Sequence, residues 1–321
     1  MTSKALITGT AGLIGSYLAE ALAERGDEII ATYWKPTIPL QDIAEQFDLI
    51  ELDVRDYPDV HALIARTRPD AIYHLAAQSL PTVSWKDPWE TMTSNVIGTI
   101  NVFESVKKVR TAEPGYDPCV IVACSSAEYG ASLTPERVPV DEEAPLLPLH
   151  PYGVSKMAQD LLTYQYYVND GIRGVRARIF NCTGGRKQND VVSDFAKRLV
   201  EATRQGTIMA VGNLETRRAI IDVRDMVAAL VALAQRGRAG EAYNICAERV
   251  ARIREILDLY FEVIGRKVPF EVDPKLLRPS DEPIIFGSTA KLRADTGWAP
   301  RIELIDTLRA VWEYELRRQG G

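Results

Sequence analysis

Gly9-Thr10-Ala11-Gly12-Leu13-Ile14-Gly15, preceded by the apolar run Ala5-Leu6-Ile7, is the stretch that decides the fold. The apolar run reads as a strand and the residues after Gly12 as a helix. Glycines at such a junction let backbone N–H groups approach a pyrophosphate at the helix N-terminus. Gly9, Gly12, Leu13, Ile14 and Gly15 are therefore expected to hold the phosphates of a dinucleotide. The spacing is GxxGxxG, one residue longer between the first two glycines than the GxGxxG fingerprint. A tight turn without a ligand is the alternative.

Outward from this turn, short apolar runs alternate with amphipathic stretches, the βαβ rhythm of a parallel sheet covered by helices. Strands are expected at 5–8, 28–33, 48–52, 71–75, 119–125 and 174–179, and helices at 12–24, 58–67, 91–110 and 152–169. Pro151 and Gly171 mark the start and stop of the last helix. After Phe180 the texture changes to the polar, basic loop Asn181-Cys182-Thr183-Gly184-Gly185-Arg186-Lys187. Helices near 192–205, 222–235 and 253–264, a strand at 242–245 and a proline-spaced tail to Trp298 follow. The expected fold class is α/β: a Rossmann-type doubly wound sheet with a smaller C-terminal substrate domain. Residues 1–180 with 222–247 form the first part, and 181–221 with 248–321 the second.

Tyr152-Gly153-Val154-Ser155-Lys156 places a phenol and an ammonium one helical turn apart on one face. The ammonium is expected to favour phenolate, so that Tyr152 trades a proton nearer neutral pH. Beside a nicotinamide, such a tyrosine serves a carbinol oxygen while hydride moves at the adjoining carbon. The pair Ser125-Ser126 supplies hydroxyls for the same oxygen.

The dinucleotide fingerprint places a carboxylate on the ribose 2′-hydroxyl about 20 residues past the glycines. Here the second strand ends Ala31-Thr32-Tyr33-Trp34-Lys35 and has none. Lys35 can pair with a 2′-phosphate, so NADP(H) is preferred over NAD(H), unless Lys35 is only a solvated loop charge. Asp53 is placed to accept from the adenine amino group or to cap its own turn.

The 321 residues are 46% hydrophobic and 26% charged, with a net charge of -6. No global basic field recruits nucleic acid or an anionic membrane surface. Cys119, Cys124, Cys182 and Cys246 form no CxxC pair, and His61, His74 and His150 have no zinc-ligand spacing. A reduced, cytoplasmic protein without a metal is expected. The first strand begins too near residue 1 for a signal peptide, and no 18-residue apolar run predicts a membrane span.

With these residues in place, the chain resembles the extended short-chain dehydrogenase/reductases over nearly its whole length. The matching residues are the glycine turn, Asp53-Val54, His74-Leu75-Ala76-Ala77, Asn95-Val96-x-Gly98-Thr99, Ser125-Ser126 and Tyr152-x-x-x-Lys156. It is most similar to the GDP-mannose branch, which contains 4,6-dehydratases and reductases of GDP-4-dehydro-6-deoxy-D-mannose. The marks of that branch are Val211-Gly212-Asn213-Leu214-Glu215, Asp222-Val223-Arg224-Asp225, Arg278-Pro279-Ser280-Asp281 and Thr296-Gly297-Trp298-x-Pro300.

The resemblance implies a nicotinamide cofactor, a GDP-sugar substrate and a homodimer formed by a four-helix bundle of the 91–110 and 152–169 helices. It adds Val54, Leu75, Ala76, Ala77 and Asn95 to the cofactor site. Tyr152 donates the proton, Lys156 tunes it and holds the ribose, Ser126 bonds the substrate oxygen, and Asn95 steadies the helix. Asn181, Lys197, Arg218 and Arg278 are expected on the GDP-sugar. Ser126-Ala127-Glu128 repeats the dehydratase spacing, in which the carboxylate removes a sugar C5 proton. However, Tyr129-Gly130 follows one residue early, so reduction is favoured over 4,6-dehydration. A non-catalytic dinucleotide sensor is the reading from another class.

Overall fold

A computed structural model describes residues 3–277 and 282–320. Seven parallel strands form the central sheet: β1 (Lys4–Thr8), β2 (Glu28–Tyr33), β3 (Leu49–Glu51), β4 (Ala71–His74), β5 (Cys119–Ser125), β6 (Gly174–Ile179) and β7 (Ala242–Ile245). Their order is β7-β6-β5-β4-β1-β2-β3. The sheet is Rossmann-type and doubly wound. Every residue of β5 is buried, as a strand covered on both faces requires. One face packs Ile7, Ile121 and Leu230, the other Leu6, Ile72, Val102 and Phe103.

Strand order reverses beside β1, which pairs with β2 on one side and β4 on the other. Ligands bind at such a switch point, outside the carboxyl ends of the strands. The glycine turn occupies that place. Gly9 has φ +79°, and a Cβ there would lie 3.0 Å from the Ala76 N and Cα. The Leu13–Glu24 helix that follows has no side-chain cap and no acidic residue in its first turn.

The expected helix at 91–110 is instead three pieces: Pro88–Met92, a wide π turn at Thr93–Ile97, and Gly98–Ala112. The break lies where a Cβ on Gly98 would meet Val54 Cγ2 at 2.7 Å. The Pro151–Asp170 helix starts and stops where expected. His150 Nδ1 accepts from Gly153 N at 3.0 Å, and Gly171 ends it at φ +64°.

A second core gathers Val192, Phe195, Leu199, Ile256, Leu257, Tyr260, Leu308 and Val311. Leu308 and Val311 belong to a helix, Leu304–Gly320, beyond the tail drawn from sequence. The Val223–Arg236 helix packs on the large sheet, and β7 is its edge strand. Leu292 and Trp298, expected in the smaller part, also pack in the large core, and Trp298 Nε1 donates to Asp225 O at 3.1 Å. Among the described residues no helix is long and apolar enough to cross a membrane.

Candidate active site

Tyr152 and Lys156 sit in the first two turns of the Pro151–Asp170 helix, above the carboxyl end of β5. Lys156 is buried, and its Nζ donates to Ala123 O at 2.7 Å. Burial pulls its pKa down to about 8, against the charges of Cys124 and Glu128. Tyr152 is half-buried. Burial pushes its phenol up to about 12, with a hydrogen bond to Ser125 pulling the other way. This corrects the expectation of a phenolate near neutral pH: burial, not the ammonium, dominates the phenol.

The hydroxyl that pulls the Tyr152 phenol down is that of Ser125, next to the Ser126 singled out from sequence. Ser125 ends β5 and caps the short Ser126–Glu128 turn, accepting from Ala127 N at 3.2 Å. Ser126 is buried within that turn.

Glu128, expected as a catalytic carboxylate, faces inward and is 0% exposed. Its Oε1 accepts from Ser125 N at 2.7 Å, and its Oε2 lies 3.6 Å from Arg178 Nε. Arg178 donates to both Asp160 oxygens, at 2.8 and 3.2 Å, while Arg176 adds a bond of 2.8 Å. Burial, together with the charge of Asp160, raises the Glu128 carboxyl well above its ordinary range. Although burial works the other way, the hydrogen bonds from Arg178 hold Asp160 below its own. Cys124, Glu128 and Asp160 converge to within 4.8 Å, and the Arg178 guanidinium is the cation of this cluster. Asp160 stands one turn beyond Lys156, so Arg178 braces the serine turn against the tyrosine helix. Sequence inspection missed Arg178, whose only local signal is a charge inside an apolar strand.

Asn95 lies in the π turn and is buried. Its Nδ2 donates to Ser155 Oγ at 2.8 Å and Gln78 O at 3.1 Å, and its Oδ1 accepts from Gln78 N at 2.8 Å. It thus ties the loop after Leu75-Ala76-Ala77 to the tyrosine helix. His74 is buried between Thr8 Oγ1 (2.9 Å) and Thr99 Oγ1 (3.1 Å). After β3, Val54 is buried and Asp53 is chelated by Arg55, with Nε and Nη2 contacts of 2.9 and 2.6 Å. Lys35 is in the left-handed region, at φ +47°.

Asn181 follows β6 at the same end of the sheet, and its Oδ1 is buried without a partner. Arg218 is buried on the Arg217–Arg218 strand, and its Nη1 donates to Arg217 O at 2.9 Å and Glu282 O at 2.8 Å. Lys197 is exposed on the Val191–Gln205 helix, where Glu315 feels its charge. Arg278 lies outside the described residues.

The family model described as GDP-mannose 4,6 dehydratase matches residues 6–311. The chain belongs to that family. A family relative, the GDP-6-deoxy-D-mannose reductase of Pseudomonas aeruginosa, is 30% identical over 99% of this chain and 100% of its own. The structure of RMD from Pseudomonas aeruginosa complexed with NADPH superposes with TM-score 0.83 at 26% identity, covering 99% of this chain and 100% of that one. The UDP-glucose 4-epimerase of Thermus thermophilus, complexed with NAD, reaches TM-score 0.86 at 26% identity, covering 97% and 98%. This GDP-mannose 4,6 dehydratase family member is accordingly an oxidoreductase that uses a nicotinamide cofactor. The close approach of Gly9 to Ala76 and the uncapped Leu13–Glu24 helix fit the dinucleotide phosphates.

Proposed function

We propose that the protein reduces the C4 keto group of GDP-4-dehydro-6-deoxy-D-mannose, giving GDP-D-rhamnose (GDP-6-deoxy-D-mannose), with NADPH preferred over NADH. The observation that carries this reading is the Glu128 carboxyl sealed inside the fold, beside a Tyr152 phenol that burial pushes up to about 12. A phenol holding its proton is a donor, as carbonyl reduction requires. A 4,6-dehydratase needs a carboxylate that reaches the sugar, and Glu128 is buried, its carboxyl raised well above its ordinary range by burial. The full-length relative at 30% identity is a GDP-6-deoxy-D-mannose reductase, which supports the same direction.

Reduced nicotinamide, held by the residues below, would supply the hydride for the carbonyl carbon. Tyr152 gives its phenolic proton to the carbonyl oxygen, and Ser126, with Ser125 beside it, bonds that oxygen as charge develops. Lys156 stabilises the tyrosinate left behind and holds the nicotinamide ribose, while Asn95 fixes the helix through Ser155. Gly9, Gly12, Leu13, Ile14 and Gly15 bind the pyrophosphate, with Val54, Leu75, Ala76 and Ala77 along the dinucleotide. Lys35 faces the 2′-phosphate. Asn181, with its unpartnered amide oxygen, and Arg218 serve the GDP-sugar, joined by Lys197 and Arg278. The protein works in the cytoplasm as a homodimer.

The test is incubation with the keto sugar and NADPH, following dinucleotide oxidation and the sugar product by NMR. Tyr152→Phe is expected to lose at least roughly 100-fold. Conversion of GDP-mannose to keto sugar without added reductant would overturn the reading in favour of dehydration.

A further inference from the structure

One carboxylate at the adenosine end draws two cations from different strand ends. Glu90 Oε1 accepts from Lys35 Nζ at 3.0 Å, and Glu90 Oε2 from Arg55 Nη1 at 2.6 Å. Lys35 follows β2, and its loop is pinned to the glycine turn: Thr37 N and Ile38 N both donate to Ala11 O, at 3.0 and 3.3 Å. Arg55 follows β3 and is already chelated by Asp53. Glu90 stands on the Pro88–Met92 helix, fixed by Asp87, whose Oδ1 accepts from Glu90 N at 2.8 Å. Its side chain is 27% exposed, against 65% for Lys35. The four charged side chains, Lys35, Arg55, Asp53 and Glu90, sum to zero.

We propose that Glu90 is a specificity-determining residue for the dinucleotide, weakening 2′-phosphate binding by holding the cations that would receive it. The inference rests on the placement of the adenosine ribose beside Lys35 given above. A 2′-phosphate brings nearly two negative charges and must compete with Glu90 for the Lys35 ammonium. It also meets the like charge of Glu90, whose 27% exposure leaves it less screened than a fully exposed carboxylate. A 2′-hydroxyl is neutral and can donate to the Glu90 carboxylate, so NAD(H) binds with the bridge intact. Lys35 and Arg55 thus favour NADP(H), and Glu90 moderates that preference.

The test is the Kd of NADPH and of NADH, from quenching of protein fluorescence, for the full chain, Glu90→Gln and Lys35→Ala. Glu90→Gln is expected to bind NADPH about tenfold more tightly, about 1.4 kcal/mol, with NADH changed less than about twofold. Lys35→Ala is expected to weaken NADPH and leave NADH unchanged. If Lys35→Ala shifts the ratio and Glu90→Gln does not, the role of Glu90 is wrong and the adenosine placement stands. If neither variant shifts it, the placement fails and takes the proposal with it.

Discussion

The Lys156 ammonium gives its 2.7 Å hydrogen bond to the carbonyl oxygen of Ala123, not to Tyr152, whose ring centroid lies 5.8 Å from Nζ. The two groups are adjacent, yet each titrates mainly under its own burial. Burial disfavours charge, so it raises a phenol and lowers an ammonium. The result is a tyrosine that holds its proton and a lysine that gives one up early.

The lysine leaves a signature in stability. Unfolded, Lys156 titrates at its ordinary 10.5; folded, it titrates at about 8. Between these values the unfolded chain binds more protons, so stability rises with pH. The cost of burying the ammonium is fully present below pH 8 and fades as pH climbs toward 10.5. Urea unfolding of wild type and Lys156→Met across that window is expected to show wild type gaining on the variant. Parallel curves would mean that Lys156 titrates normally in the fold.

Glu128 separates architecture from chemistry. Its Oε1 holds Ser125 N, and glutamine keeps both the shape and that acceptor. Glu128→Gln is expected to keep turnover within about threefold, because the amide oxygen still accepts from Ser125 N. Glu128→Leu orphans that buried N–H, an expected loss of about 1–3 kcal/mol in thermal or urea unfolding, and loosens the Ser125–Ser126 turn, lowering kcat about tenfold. Equal inactivation by both changes would show that the carboxyl itself does chemistry.

Those two residues also mark where sequence reading stops. The seven strands were legible because buried parallel strands are continuous apolar runs, and the glycine turn because only glycine tolerates the approach of Gly9 to Ala76. Tyr152 and Lys156 followed from helical spacing. That Ser125 caps the Ser126–Glu128 turn was not legible, since the cap is made by a backbone N–H that the sequence does not mark. The fate of Glu128 was not legible either. Its partners Asp160 and Arg178 come from a later helix and a later strand, and no local pattern announces them. The π turn at Thr93–Ile97 broke a helix that periodicity alone drew as continuous. By contrast, Leu304, Leu308 and Val311 have helical spacing, so the last helix was readable and overlooked.

The last prediction concerns the outer face of the tyrosine helix. Val154, Leu161, Tyr164 and Val168 are 36%, 50%, 48% and 57% exposed, and Ile97 on the neighbouring element is 42% exposed. Spacings of seven, three and four keep the first four on one stripe, opposite the buried Ser155, Gln159 and Thr163. A contiguous apolar stripe on a folded surface marks an interaction site. In a two-fold homodimer the same stripe serves both copies, so one substitution acts twice. Leu161→Glu with Val168→Glu sets carboxylates against their symmetry mates, where like charges are costly. Sedimentation at micromolar concentration is expected to show a dimer for the wild type and a monomer for the double variant. The monomer is also expected to lose turnover, because Tyr152 and Lys156 ride on the helix that loses its support. A double variant that still sediments as a dimer, or a monomeric wild type, would remove the bundle from this account.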